Sequence, residues 1–226
     1  MDHRWDLTFA EARVLQNDLA SQVVVDVPLP PWNRLAAADV SFNRGSKRLF
    51  AAVVVFDRGT SHPVEQVSTW LDVDFPYVSG FLSFREAPVL LNAFALLKNS
   101  FDLVLCDGQG IAHPRRLGIA CHLGLWLDKP TIGCAKSRLC GEADEPGPNR
   151  GDWTPLFDRG ELVGRVVRTK KKVKPLYISP GHRCDLEGAM SVVMELSGKY
   201  RLPQPIRRAH DFVNECRRRS MREEET

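Results

Sequence analysis

Residues 34–59, "RLAAADVSFNRGSKRLFAAVVVFDRG", decide the fold. Two apolar runs flank Asn43-Arg44-Gly45, a turn-forming triplet, so the stretch reads as two antiparallel strands joined by a hairpin. The run after the turn is nearly all apolar, the pattern of a strand buried on both faces. "VEQVSTWLDV" (64–73) reads as a third strand and "FDLVLCD" (101–107) as a fourth, with a helical stretch around 86–98 between them. A strand reached through a helix lies parallel to its neighbour, which places the fourth strand beside the first. A helix around 117–127 leads to a fifth strand, "PTIGCA" (130–135). After residue 150 come strand-like "WTPLF", "LVGRVVR" and "PLYIS", then helices around 185–199 and 206–219. Upstream, Thr8 and Glu11 form a capping box for a helix over 8–23, with Leu15, Leu19 and Val23 at helical spacing. The expected architecture is α/β: a mixed five-stranded central sheet, its first three strands antiparallel, flanked by helices, with extra strands after residue 150. Residues 1–226 read as a single domain whose last stretch, 217–226, is a frayed tail.

The bulk composition is that of a soluble globular protein: 43% hydrophobic and 26% charged, with a net charge of +3. No apolar run approaches the ~20 residues that span a bilayer, and the mixed-charge N-terminus has no secretory h-region. The six cysteines form no C-x-x-C pair, which points away from disulfides or zinc and toward a reducing cytoplasm. Seven basic residues and no acid occupy Leu162–Cys184: Arg165, Arg168, Lys170, Lys171, Lys172, Lys174 and Arg183. Clustered Lys and Arg are the electrostatic footprint of a polyanion binder. "GQG" at 108–110 begins a dinucleotide pattern, but His113 stands where G-x-G-x-x-G needs glycine, and no P-loop pattern occurs.

Two carboxylates are out of place. Asp39 lies within a strand among small apolar residues, where Asp is depleted and a buried charge needs a partner. Asp107 ends the fourth strand. If the first and fourth strands are neighbours, the two lie side by side and repel unless a cation sits between them. Mg²⁺ takes oxygen ligands of this kind. Glu86, at the start of the helix before the fourth strand, could reach the same point, although an acid in a first helical turn is also ordinary.

Several motifs, in order and spacing, make the chain resemble the endonuclease V family: "ADVSF", "PYVSGFLSFRE", "CDGQGIAHPRRLGIACHLGL", "PTIGCAKSRLCG" and "VKPLYISPGH". The resemblance covers nearly the whole chain. It implies a ribonuclease H-like fold and an enzyme that nicks DNA at the second phosphodiester 3′ to deoxyinosine, the product of adenine deamination. It implies Mg²⁺, with Mn²⁺ as a substitute, bound by Asp39, Glu86 and Asp107. His210 corresponds to a position facing a second metal, though Asp211 follows it and leaves that ligand ambiguous. Lys136 and His113 correspond to positions near the scissile phosphate. Leu82, Gly108, Gly110 and Leu139 correspond to a pocket that reads hypoxanthine through backbone groups. Pro76-Tyr77-Val78-Ser79 corresponds to a wedge that separates the strands, with Ser79 where relatives carry a second proline.

The expected reaction is two-metal phosphodiester hydrolysis, with ions about 3.5–4 Å apart, leaving a 3′-hydroxyl and a 5′-phosphate. Arg168, Lys170, Lys171, Lys172 and Lys174 would hold the nucleic-acid backbone largely regardless of sequence. The enzyme is expected to act as a cytoplasmic monomer. Two alternatives stand beside this: an endoribonuclease acting on inosine-containing RNA, and a structure-specific DNA-binding protein without cleavage.

Overall fold

In the computed structural model, which describes residues 3–224, a capping box starts helix α1 (Phe9–Ala20): the Thr8 hydroxyl accepts from Glu11 N–H while the Glu11 carboxylate accepts from Thr8 N–H. The helix stops before Ser21, and its buried row is Ala12, Gln16 and Leu19. That row is one step round from Leu15, Leu19 and Val23, and it places an amide among the core side chains.

Strands β1 (Arg34–Phe42), β2 (Arg48–Asp57) and β3 (His62–Asp72) form an antiparallel meander. Helix α2 (Leu82–Ala95) crosses over to β4 (Leu103–Cys106), which pairs parallel with β1. Helix α3 (Ile119–Leu127) then leads to β5 (Thr131–Ala135), parallel to β4. The extra strands differ from expectation in where they go. β6 (Trp153–Asp158), β7 (Glu161–Val167) and β8 (Leu176–Pro180) extend the same sheet, which has eight strands in the order β3-β2-β1-β4-β5-β8-β7-β6. β8 pairs antiparallel with β5, so no separate layer forms after residue 150.

Helices cover both faces of the sheet, as the unbroken apolar runs require. On one face Ala36, Ala38, Val53, Val55, Val104 and Cys106 pack under α2 and α3. On the other, Leu35, Ala37, Val54, Phe56, Leu103 and Leu105 pack with residues of α4 (Leu186–Leu196) and α5 (Gln204–Glu224).

Two boundaries shift in ways that matter for the site. α2 begins at Leu82, four residues before the expected start, and carries Pro88 in its interior. The extra turn is held by burial of Ser83, Phe84 and Arg85, and it takes Glu86 out of the first turn. α5 continues to Glu224 rather than fraying from 217. Arg217 ties its later turns to β1, donating to Ser41 Oγ at 2.9 Å and to the Asn43 side chain; residues 225–226 of the expected tail lie outside the described residues. All six cysteines are free thiols. Among the described residues no helix is long and apolar enough to cross a membrane.

Candidate active site

The β1–β4 register builds the centre of the site. Ala38 lies opposite Cys106 in the parallel pair, so the next residues come side by side: Asp39, still within β1 and paired with Ala52 of β2, and Asp107, just past the end of β4. β5 ends at Ala135, and Lys136 follows it to form an ion pair with Asp107 Oδ2. From the opposite face α5 presents His210, whose Nδ1 is 2.7 Å from Asp39 Oδ2. Asn214, one turn on, donates to His210 Nε2 at 3.2 Å, which leaves Nδ1–H as the donor to Asp39. Asp211 faces elsewhere: it lines a cleft with Trp32, Arg58 and Tyr200. Of the two adjacent residues, His210 is the one that meets the carboxylates.

Glu86 enters from α2. Asp39, Glu86 and Asp107 line one narrow cleft of about 10 Å³ with Ala38, Val40, Cys106 and Ile119. Their charges oppose one another. Burial, then Asp39 and Asp107, push the Glu86 carboxyl up to about 8. Burial, then Asp107, raise Asp39 above the usual carboxylate range, while His210 and Lys136 pull it back. Among the described residues no three His, Cys, Asp or Glu side chains converge closely enough to hold a metal as they stand; Asp39 and Asp107 are turned to His210 and Lys136. The donor chemistry nonetheless fits a hard divalent cation: three carboxylates, all oxygen, share a cleft in which burial and neighbouring charge disfavour the ionised forms of Asp39 and Glu86.

Asp107 also belongs to a second space. A cavity of about 280 Å³ opens beside the carboxylates, lined by Asp107, Gly108, Leu82, Ile119, Lys136 and Leu139 among others. Three of the four expected base-pocket residues therefore line it. The fourth, Gly110, does not. A Cβ there would lie 1.9 Å from Pro180 O, so its missing side chain admits β8, not a ligand, and its N–H donates to Ser179 Oγ. Gly108 does face the cavity wall, where a Cβ would meet Ile119 Cγ2 at 2.5 Å.

Tyr77, Val78 and Ser79 also line this cavity. Tyr77 is 66% exposed. Pro76 turns away into an apolar hollow with Phe9, Phe75 and Phe84. His113 lines the same cavity as Asp107 and Lys136, but it is buried, its Nε2 is 3.1 Å from Gly80 O, and its Nδ1 accepts from Arg115 N–H at 3.1 Å. Burial, helped by the Arg115 charge, pushes its pKa down to about 4. A neutral ring with both nitrogens engaged has none to offer a phosphate.

The basic segment divides. Arg168 is buried, and its guanidinium bonds the carbonyls of Gly147, Pro146 and Val173 and the carboxylate of Glu145. It holds the 145–173 loops together and is not available to a polyanion. Lys170, Lys171, Lys172 and Lys174 are exposed. They are tied to the site by a residue that sequence reasoning passed over: Arg201 donates to the carbonyls of Lys174 at 2.8 Å, Pro175 at 2.7 Å and Lys136 at 2.8 Å. Gln16 was also missed. A polar residue on the buried row of α1 was the available signal.

Comparison with known proteins finds relatives along nearly the whole chain. A family model described as Endonuclease V matches residues 17–211. The chain is 44% identical to Endonuclease V of Kosmotoga olearia over 217 residues, covering 96% of this chain and 95% of the relative. The crystal structure of Endonuclease V from Streptomyces avermitilis superposes with a TM-score of 0.89 at 40% identity, covering 98% of this chain and 96% of that one. A Ciona intestinalis Endonuclease V, crystallised with a 23mer DNA containing an inosine followed by a ribo-adenosine, superposes with a TM-score of 0.80 at 26% identity, covering 92% of this chain and 98% of that one.

Proposed function

The chain belongs to the endonuclease V family and is an endonuclease, and from that premise we propose that it hydrolyses the second phosphodiester 3′ to deoxyinosine in DNA, using Mg²⁺ and leaving a 3′-hydroxyl and a 5′-phosphate. The observation that carries the proposal is the double placement of Asp107, which lines both the carboxylate cleft and the larger cavity. A nucleotide whose base enters the cavity brings its own backbone to the carboxylates. The inosine-containing DNA bound by the Ciona relative supports the same choice of substrate.

In this mechanism Asp39, Glu86 and Asp107 would hold the metal. A bound divalent ion would supply a water of lowered pKa and neutralise charge on the phosphate. The protein's own residues do the rest. His210 donates to Asp39 and fixes the direction of that carboxylate, the role outer partners play for metal-ligating groups. Lys136, paired with Asp107, offers a mobile ammonium to a non-bridging phosphate oxygen. The cavity admits the base only once it has left the stack, at a cost of a few kcal/mol. Tyr77, exposed at the cavity, is placed to fill the gap left in the duplex. Lys170–Lys174 bind the flanking backbone without reading its sequence.

A nicking assay in Mg²⁺ on matched duplexes with and without one deoxyinosine tests this. Selective nicking that Asp107→Asn abolishes, with binding retained, supports the proposal. Nicking retained by that variant contradicts it.

A further inference from the structure

We propose that Gln16 and Arg115 are positioning residues for the Tyr77 loop and act through one atom, the carbonyl oxygen of Gly80. The proposal rests on the reading of that loop as the strand-separating element. Gln16 is fully buried on α1. Its Nε2 donates to Gly80 O at 3.1 Å and to Leu117 O at 3.0 Å, and its Oε1 accepts from Arg115 Nε. Arg115 Nη2 donates to the same Gly80 oxygen at 2.6 Å, and His113 Nε2–H adds a third bond at 3.1 Å. Donors from two chain segments far apart in sequence thus converge on one carbonyl.

That carbonyl lies at the root of the loop. Gly80 has φ +78°, a left-handed conformation glycine adopts readily, and a Cβ there would come within 3.0 Å of Arg115 Nη2. Phe81 N–H closes a turn onto Val78 O at 3.0 Å, and the Arg115 guanidinium lies 4.4 Å from the centre of the Phe81 ring. Unrestrained, a glycine at the root of an exposed loop is a hinge. A satisfied buried polar network removes that freedom, and its charged donor makes the strongest bond in it.

Tyr77 depends on this restraint. It is 66% exposed, and its ring neighbour, Phe42, lies 6.4 Å away, so the direction of its ring is set at the base of the loop. A wedge that yields at its base cannot hold two strands apart. Gln16 and Arg115 make none of the hydrogen bonds or ion pairs of Asp39, Glu86, Asp107 or Lys136. Gly80, His113 and Leu117 also stand in the wall of the cavity, but the clamp touches none of the groups at the carboxylate cleft, so loosening it impairs strand opening far more than hydrolysis.

The test uses Gln16→Met, which keeps the volume and removes every polar bond, and Arg115→Lys, which keeps the charge but cannot reach Gln16 and Gly80 together. Each variant is compared with the parent on deoxyinosine in a perfect duplex and in a three-nucleotide bubble, where the strands are already apart. 2-Aminopurine beside the lesion reports unstacking on binding. We expect at least a tenfold loss of nicking on the duplex, less than a twofold loss on the bubble, and less than half the parent's fluorescence rise. Bubble activity also shows that the variant has folded; should Gln16→Met fail that check, Arg115→Lys decides alone. Equal losses on both substrates, or a full fluorescence rise, overturn the proposal. Tyr77→Ala run in parallel separates this from the wedge reading. If it too leaves the duplex-to-bubble ratio unchanged, the wedge reading has failed; if it lowers the ratio and the clamp variants do not, the clamp has failed.

Discussion

His210 on α5 and Asp39 on β1 meet at 2.7 Å, Nδ1 to Oδ2, across the face of the sheet opposite α2. That contact joins the last helix to the first strand at the carboxylate cleft. It makes α5, which also anchors Arg217 on Ser41 and Asn43, part of the site rather than a terminal appendage. His210→Ala is expected to lower nicking by ~10–100-fold, the range for removal of a partner that orients a metal ligand. Asp211→Ala, on the neighbouring cleft, should stay within about twofold. Steady-state kcat/KM on one inosine duplex measures both.

Neutralising one carboxylate separates stability from function. Glu86 is held near 8 by burial and by Asp39 and Asp107, so in metal-free buffer at pH 8 or above its charge strains the fold. Glu86→Gln is expected to raise Tm there by a few degrees, at ~2–4 °C per kcal/mol for a chain of this size, while eliminating nicking. Added Mg²⁺ should raise the parent's Tm by mass action and the variant's by less. Differential scanning calorimetry with and without Mg²⁺ gives both shifts.

Much of this was legible in the sequence because it rests on local pattern. The apolar runs at 34–42 and 48–57 marked strands, and Asp39 and Asp107 were conspicuous as charges in apolar surroundings. What was not legible depends on partners distant in the chain. Arg165 and Arg168 looked like polyanion contacts because their window holds no acid; their carboxylates, Glu187 and Glu145, lie outside it. Gly110 looked like open backbone because nothing local signals Pro180 against its Cα. The α2 start lies earlier than expected because Ser83, Phe84 and Arg85 are buried by packing that the local pattern does not announce.

The basic segment should split in solution as it does in the structure. Replacing Lys170, Lys171 and Lys172 together with Ala should leave the fold intact and flatten the salt dependence of DNA affinity, by up to ~0.9 for each phosphate that is no longer neutralised. Arg168→Ala should instead lower Tm, because it removes the buried guanidinium that joins the carbonyls of Gly147, Pro146 and Val173. A triple variant with an unchanged salt slope would contradict the phosphate role.

Acid should weaken the fold through two histidines. Burial, then the His3 ring, pushes His122 down to about 3, and burial, then Arg115, pushes His113 to about 4. Both lie below the unfolded value of ~6.5, so the unfolded chain binds more protons between those limits. Stability is present in full above pH ~6.5 and falls as pH drops toward 4. Glu86, raised to about 8, contributes in the opposite sense, with its share greatest at low pH and lost as pH rises through 8. The urea midpoint should fall between pH 6.5 and 4, and less steeply in His122→Leu. An equal slope in that variant would remove His122 from the explanation.

The most direct measurement is the product map of a duplex carrying one deoxyinosine, incubated with the enzyme and Mg²⁺ beside an undamaged duplex. We predict a single nick at the second phosphodiester 3′ to the lesion, with a 3′-hydroxyl and a 5′-phosphate, no cut in the undamaged duplex, and no product from Asp107→Asn. Equal cutting of both duplexes, or cutting that survives Asp107→Asn, would contradict the assignment of this carboxylate site to inosine-directed hydrolysis.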